Sequence, residues 1–548
     1  MRLAFLLLIS ILLLTPVLAI QNATVTLIDT NIEPNIVYFD LDEPAQLTII
    51  NQDSMAHGFG AYDLNIMGRI EPGETKTFDI PTDIPGEFHY YCAVYCGVNH
   101  YEMSGIIVVG EGSNSQIISD TGLTKLLLGS FLIFALLFFL ALGFKPTRKL
   151  LLKFSYTKYF PQVFYITALI VWLLMIINVL GANFFNIGAT MDIWWVLWWP
   201  LLILSVLFVG RAWCGWLCPL GAVSDYTNKL RKSRGLPKGF RWLPKLLRWS
   251  WLPFLSLFIV VLSERVFGMV GVPKASAYFF LIMLSLSAIL GFLMVKRVWC
   301  KYVCPIGTLL ALFSKLGPVE IDAPKTTESD IKSLKVCPTF VNIGTNPSKR
   351  DCLVCHKCTK GNPEIKFKFR TPGKELLTHV NKQESIFLIG IIGLFFSLFF
   401  LNPTRYPLIE SWFNENIGLI LNLNTFALGE INILVFFGSI FLIILILLGF
   451  TALMAYISSK LAKKPFKEHF LRTNYMFTPF ALFGLFILTA EGLFTVLNLS
   501  PIIKVVLLSI GLAWSTFIGL QMNKKFLPAI PLFITLLTYF GLYYSLII

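Results

Sequence analysis

Ten cysteines in 548 residues fall into groups whose spacing suits two kinds of metal chemistry. The first group lies in Cys92–Met103, C-A-V-Y-C-G-V-N-H-Y-E-M, where Cys92, Cys96, His100 and Met103 follow at intervals of four, four and three residues. His57, in M-A-H-G-F, stands upstream. Thiolate and thioether donors beside imidazole favour copper, and a methionine as weak axial ligand points to electron transfer. One cysteine with two histidines and a methionine would make a mononuclear site. Two cysteines on one loop can bridge two copper ions. A disulfide between Cys92 and Cys96 accounts for the cysteines but leaves His57, His100 and Met103 without a reason.

The other eight cysteines form Cys214-G-W-L-Cys218-P, Cys300-K-Y-V-Cys304-P, Cys337-P and Cys352-L-V-Cys355-H-K-Cys358. A tight C-x2-C-x2-C run needs a remote C-P cysteine to complete a cubane, and Cys337-Pro338 supplies one. This predicts one [4Fe–4S] cluster on Cys337, Cys352, Cys355 and Cys358. Where a two-cluster ferredoxin has a further C-P, this chain has Asn362-Pro363. A structural four-cysteine zinc site is the alternative. The remaining motifs, R-A-W-C-G-W-L-C-P-L-G-A and R-V-W-C-K-Y-V-C-P-I-G-T, are alike enough to mark an internal repeat over about 192–225 and 276–311. Cysteines four apart share a helix face. The two pairs either hold a second iron–sulfur cluster jointly or act as two redox-active dithiols.

The elements that must position these groups are mostly apolar. The chain is 56% hydrophobic with 49 Phe and a mean hydropathy of +0.71, which describes a membrane protein. Its net charge of +14 comes from Lys and Arg in short loops between apolar stretches, the positive-inside pattern, so it does not argue for nucleic acid. About ten transmembrane helices are predicted, at 122–143, 160–182, 192–210, 250–271, 276–295, 385–401, 431–456, 475–495, 502–520 and 529–547. Starting from outside, they put every strongly basic loop on the cytoplasmic side, where a reducing environment disfavours disulfides. None of the six histidines falls in the middle of a span, which excludes a haem held by two membrane histidines. Glu264 and Glu491 lie near outer span ends, as proton acceptors or as interfacial residues.

Residues 1–19 read as a signal peptide or N-terminal anchor. Residues 20–112 alternate apolar and polar positions between Gly- and Pro-marked turns, predicting an exported β-sandwich with strands near 23–28, 35–41, 45–50, 75–80, 87–92 and 104–109. A linker at 113–121 follows, then five helices with a cytoplasmic CxxxCP loop (122–295), a cytoplasmic ferredoxin-like insertion (296–384) and five more helices (385–548). The fold class is thus a polytopic α-helical membrane protein with an exported β-sandwich domain.

The copper loop resembles the binuclear purple copper centre of cytochrome oxidase subunit II and nitrous oxide reductase, and the surrounding sandwich resembles a cupredoxin. The resemblance implies that Cys92 and Cys96 bridge two copper ions. By it His57 and Met103 complete one ion and His100 serves the other, with the backbone carbonyl of Val94 beside them and His57 on an earlier loop. Residues 150–365, with the repeated W-C-x-x-x-C-P motif and the ferredoxin-type cysteines, resemble the polyferredoxin membrane proteins of the NapH and NosR type. That resemblance implies quinol oxidation feeding periplasmic nitrate or nitrous oxide reduction. The chain departs from NosR in lacking an evident exported flavin domain. It departs from NapH in its fused copper domain and in having one obvious ferredoxin cluster.

Together these features predict transmembrane electron transfer from the membrane quinol pool or a cytoplasmic donor, through iron–sulfur and binuclear copper centres, to an exported acceptor. Nitrous oxide reductase or a small redox protein would fill that last role. Rival readings are a redox assembly factor for a copper enzyme or oxidase, and a structural subunit of a respiratory complex. Electrons must cross roughly 30 Å of hydrocarbon. Either Cys214, Cys218, Cys300, Cys304 and a bound quinone bridge part of that gap, or a partner subunit carries haem.

Overall fold

The structure, a computed structural model, describes residues 20–28, 31–53, 55–61, 64, 66–92, 103–110, 146, 153, 161–182, 190–234, 252–267, 269, 273–294, 296–323, 336–341, 348, 350–361, 364–400, 427–428, 431–496, 500–523 and 525–547. The leader at 1–19, the linker at 113–121, the first predicted span, Val94, Cys96, His100 and Asn362-Pro363 lie outside these residues, as do the side chains of Glu264 and Glu491. The described residues fall into two compact units, 20–110 and 146–547.

The first unit is a two-sheet sandwich. Its strands are β1 (Gln21–Ile28), β2 (Asn31–Glu33), β3 (Ile36–Phe39), β4 (Ala45–Asn51), β5 (His57–Ala61), β6 (Ile66–Ile70), β7 (Thr75–Ile80), β8 (Gly86–Tyr91) and β9 (Ser104–Val109). One sheet runs β2-β1-β4-β7 and the other β3-β9-β8-β5-β6. Period-2 alternation sends one side of each strand inward: in β4, Ala45, Leu47, Ile49 and Asn51 are buried. Val25, Phe59, Ile70, Tyr90 and Ile107 complete the core. All six predicted strands are present. The other three, β2, β5 and β6, are short or glycine-bearing, and β5 (H-G-F-G-A) is buried at all five positions despite two glycines that lower strand propensity. His57 therefore opens a strand rather than riding on a loop.

Among the described residues of the second unit seven helices are long and apolar enough to cross a membrane: Gln162–Ala182, Asp192–Val209, Pro273–Leu293, Val435–Ala462, Phe466–Thr489, Pro501–Asn523 and Leu527–Ser545. Helices also stand at Leu252–Phe267 and Lys382–Phe400, where two further spans are predicted. The internal repeat is real in the backbone. In each copy a long apolar helix (Asp192–Val209, Pro273–Leu293) leads to a short turn carrying the first cysteine, and then to a helix that begins with proline (Pro219–Ser233, Pro305–Phe313). The second cysteine is the N-cap in both, with φ −74°, ψ 117° at Cys218 and φ −63°, ψ 115° at Cys304. The C-P dipeptide explains this. Proline forces the residue before it into extended backbone and is itself preset for a helix's first turn. The cysteine sulfur thereby faces the free N–H groups of a new helix.

Candidate metal centres

In the sandwich, Cys92 directly follows β8 and Met103 directly precedes β9, and Cys92 N–H donates to the Met103 carbonyl at 2.9 Å. The ladder thus closes the base of the loop between them and sets two predicted ligands side by side, both buried. His57 comes from the neighbouring β5, its Nδ1 3.7 Å from Cys92 Sγ. A first-row metal bonded to both, at roughly 2.1 Å to nitrogen and 2.3 Å to sulfur near the tetrahedral angle, would hold them about 3.6 Å apart. The donor pair fits copper without rearrangement. Gly58 N–H donates to the same sulfur at 3.4 Å, which favours the thiolate form.

The other face of the His57 ring is fixed by Asp53, whose Oδ2 lies 2.7 Å from Nε2. Burial draws the imidazole's affinity for a proton down, but Cys92 and then Asp53 outweigh it and hold the pKa above its ordinary value. Asn51 orders the turn that presents Asp53. Its side-chain amide donates to the carbonyls of Met55, Ile70 and Glu71, and its Oδ1 accepts from Asp53 N–H at 3.0 Å. A carboxylate on the distal nitrogen leaves Nδ1 as the atom that would meet a metal and would strengthen it as a donor. Asp53→Asn should weaken copper retention by about 10–100-fold and raise the site's reduction potential, checked by chelator competition and redox titration of the full-length protein.

In the second unit the four cysteines of the ferredoxin-type set are brought together. Cys337, Cys352, Cys355 and Cys358 line one cavity, closed by Ile321, Val341 and Phe367. Four cysteines on one cavity are a donor set that a [4Fe–4S] cluster takes, as a single zinc ion also does. The loop is wound to that purpose. Phe340, Val354 and His356 all adopt positive φ, at 58°, 51° and 58°, an uncommon conformation for residues with a Cβ. Val341 N–H donates to Cys337 Sγ at 3.3 Å and Val354 N–H to Cys352 Sγ at 3.4 Å. Burial, then the neighbouring thiols, pushes the Cys352 thiol well above its usual range and Cys358 up to about 12. Such crowded thiols ionise together only when a metal balances their charge.

The CxxxCP pairs also converge. Burial is again the main cause that raises Cys218, and ionised Cys214, Cys300 and Cys304 add to it. Burial pushes Cys300 up to about 11 against the pull of Arg297 and Arg211, and Cys304 up to about 12, where the Cys300 charge adds to it and Arg211 opposes. The two repeats each contribute one pair of cysteines to this group, and the pairs lie near enough for each to feel the charge of the other. Gly307 N–H donates to Cys304 Sγ at 3.3 Å, the helix-terminus contact that the C-P dipeptide prepares.

Two arginines that the cysteine spacing leaves without a role cross-brace this nest. Arg211 and Arg297 each stand three residues before the first cysteine of their repeat. Arg297 Nη1 donates to the Cys214 carbonyl at 2.8 Å, and Arg211 Nη2 to the Cys300 carbonyl at 3.3 Å. Each guanidinium lies where the other repeat has a glycine in its C-P-x-G turn. A Cβ on Gly221 would stand 2.8 Å from Arg297 Nη1, and one on Gly307 3.2 Å from Arg211 Nη2. Arg297 is paired through both arms with Asp225, at 3.1 and 2.8 Å, and Lys357 meets the same carboxylate at 2.8 Å. Recurrence of arginine in both R-x-W-C motifs is the signal in the sequence that could have pointed to them.

The two nests share a wall. Trp216, between Cys214 and Cys218, donates its indole N–H to the Val354 carbonyl at 2.8 Å, and Gly215 lies against Leu353. Lys357, between Cys355 and Cys358, reaches Asp225 and through it Arg297. The loops that carry the two sets of cysteines are therefore in direct contact.

Comparison with known proteins agrees with this division. Residues 191–237 and 276–323, the two repeats, match the 4Fe-4S binding domain family, and residues 2–109 match the cupredoxin-like domain family. "Uncharacterized protein MJ0749" of Methanocaldococcus jannaschii is 27% identical over 164 residues, covering 29% of this chain and 63% of that protein. "Protein NirI" of Paracoccus denitrificans is 25% identical over 184 residues, 29% of this chain and 26% of its own. "Ferredoxin-type protein NapH" of Escherichia coli is 25% identical over 188 residues, 29% of this chain and 62% of its own. The chain thus spans 26% to 63% of the length of these relatives. With its apolar helices, the chain is a multi-pass membrane protein that joins a cupredoxin-like domain to a 4Fe-4S binding domain.

Proposed function

We propose that the protein carries electrons across its membrane, from quinol or a cytoplasmic donor through two adjacent iron–sulfur sites to a binuclear copper site and an exported acceptor. The observation that carries this reading is the shared wall of the two four-cysteine nests, through Trp216–Val354 and Gly215–Leu353. Two contiguous one-electron sites suit a relay. Cys337, Cys352, Cys355 and Cys358 would hold one [4Fe–4S] cluster, and Cys214, Cys218, Cys300 and Cys304 a second. His57, Cys92, Cys96, His100, Met103 and the Val94 carbonyl would hold the copper pair. When bound, these groups supply one-electron steps with little rearrangement. The protein's own residues bury them, donate N–H groups to the thiolates and balance their charge.

The cupredoxin-like domain would face outward and the iron–sulfur segment the cytoplasm, in keeping with the basic loops. The resemblance to membrane proteins of the NapH and NosR type favours nitrogen-oxide respiration as the setting, with nitrous oxide reductase or a small redox protein as acceptor. Metal analysis with EPR tests the assignment. The purified chain should hold about eight iron atoms, as two four-iron clusters require, and a binuclear copper signal. Cys214→Ser with Cys300→Ser should halve the iron. Quinol should then reduce the centres and an exported acceptor reoxidise them. Zinc in place of iron, or copper that leaves the protein during turnover, would overturn the relay in favour of a structural or an assembly role respectively.

A further inference from the structure

The ferredoxin-type nest is joined to the C-terminal helices by a line of buried and half-buried charge. Asp351 immediately precedes Cys352. It faces Arg350 Nε at 3.4 Å, Arg211 Nη1 at 3.6 Å and Lys301 Nζ at 3.8 Å. Arg350 turns its Nη1 to Glu384 Oε1 at 2.7 Å. Glu384, in the first turn of Lys382–Phe400, also pairs through Oε2 with Lys315 and accepts from the Tyr475 hydroxyl at 2.9 Å. Lys315 Nζ lies 4.5 Å from the centre of the Tyr475 ring. Asn381 holds the corner: its N–H donates to the Tyr475 oxygen at 3.1 Å and its Oδ1 accepts from Gln383 and Glu384 N–H. Lys315, Glu384 and Tyr475 are all buried.

Buried ions are costly to keep and bring no net stability over apolar packing of the same shape. A cluster of them sharing partners across four chain segments therefore asks for a reason. Four cations here meet two carboxylates, so the network is positive beside a nest of four thiolates. A cluster on those thiolates is anionic and becomes more so on taking an electron. Its potential depends on the net charge around it, and in a buried setting such charge is weakly screened.

We propose that Glu384 is a positioning residue through which the C-terminal helices set the reduction potential of the cluster at Cys337, Cys352, Cys355 and Cys358. Its carboxylate divides Arg350 between itself and Asp351, and so governs how much positive charge reaches the Cys352 side. The inference rests on the iron–sulfur reading of that nest, and it gives the last helices a task that the family likeness, confined to earlier residues, does not.

The test is an EPR-monitored redox titration of the full-length protein in detergent, with the signal of this cluster identified by its loss in Cys352→Ser. Glu384→Gln removes a negative charge and should favour the reduced form at least tenfold at fixed potential, a rise of about 59 mV for one electron. Lys315→Gln removes a positive charge and should shift the ratio as far the other way. Tyr475→Phe changes no charge and should leave the ratio within twofold. Opposite shifts are the signature, because general loosening of the fold would move both charge variants in one direction. Same-sign shifts, no shift, or loss of iron from both charge variants while Tyr475→Phe keeps it, would overturn the proposal. Absence of the iron–sulfur signal from the unsubstituted protein would instead overturn the cluster reading beneath it.

Discussion

Gly215→Ala should drive the two cysteine nests apart. A Cβ at Gly215 would stand 1.9 Å from the Leu353 carbonyl oxygen and 3.0 Å from its carbon. The obstacle is backbone, not the tip of a flexible side chain, so one loop must retreat. The Leu353 loop has little room to do so. Leu353 is buried, and Val354 next to it is held at positive φ with its carbonyl bonded to Trp216. Overpacking of this kind costs about 1–3 kcal/mol. Here the strain falls on Cys352 and Cys355, which flank the displaced pair. Iron should fall towards half in the purified variant, with the loss confined to the ferredoxin-type nest. Gly438→Ala is the matched control. It lies in the helix Ile433–Ala462, and a Cβ there meets nothing within 4 Å. That variant should keep all its iron and gain slightly in stability, by about 0.5–1 kcal/mol from helix propensity. Iron analysis beside thermal unfolding in detergent checks both.

The contrast between these glycines also shows which parts of the protein could be read from sequence. Cysteines are rare and their spacing is constrained by metal geometry, so C-x2-C-x2-C and the repeated C-x3-C-P stand out in the bare chain. The apolar spans that fall on described residues and six of the sandwich's nine strands are similarly legible, since period and hydropathy carry them. Strand β5 is not, because Gly58 and Gly60 read as loop while the neighbouring strands impose the pairing. What sequence conceals is partnership over distance. Lys315 meets Tyr475 across 160 positions and Glu384 meets it across 91; nothing local in either residue declares a partner. Asp53 is a milder case, four residues from His57 yet indistinguishable in sequence from a turn-forming acid. Arg211 and Arg297 are the most instructive. On a loop following a membrane span a basic residue is the ordinary topogenic charge, and only the fold shows that both point inward.

Arg297→Met should cost the protein more than the equivalent change at Arg211, although the two residues occupy matching places in the repeat. Arg297 has no exposed surface. It makes two short bonds to Asp225 and one to the Cys214 carbonyl, and stacks over Tyr165 at 4.8 Å. Removing one partner of such a pair leaves a buried carboxylate partly uncompensated, which costs about 3–5 kcal/mol. Lys357 still meets Asp225, which places the expected loss near the lower end of that range. Arg211 engages Asp351 at 3.6 Å and the Cys300 carbonyl at 3.3 Å, while Asp351 also faces Arg350 and Lys301. Its removal should therefore cost less. The pH dependence gives the prediction a second reading. Burial raises the Asp225 pKa, but Arg297 first and Lys357 next outweigh it and hold the carboxyl well below its usual range. A carboxylate whose pKa is depressed on folding contributes stability that is complete above its unfolded value, about 3.9, and is lost as pH falls through the folded value. The gap in unfolding midpoint between the native protein and Arg297→Met should be widest above about pH 4 and close below it. A gap that stayed constant through the acid range would mean that lost packing over Tyr165, rather than the ion pair, is what Arg297 contributes.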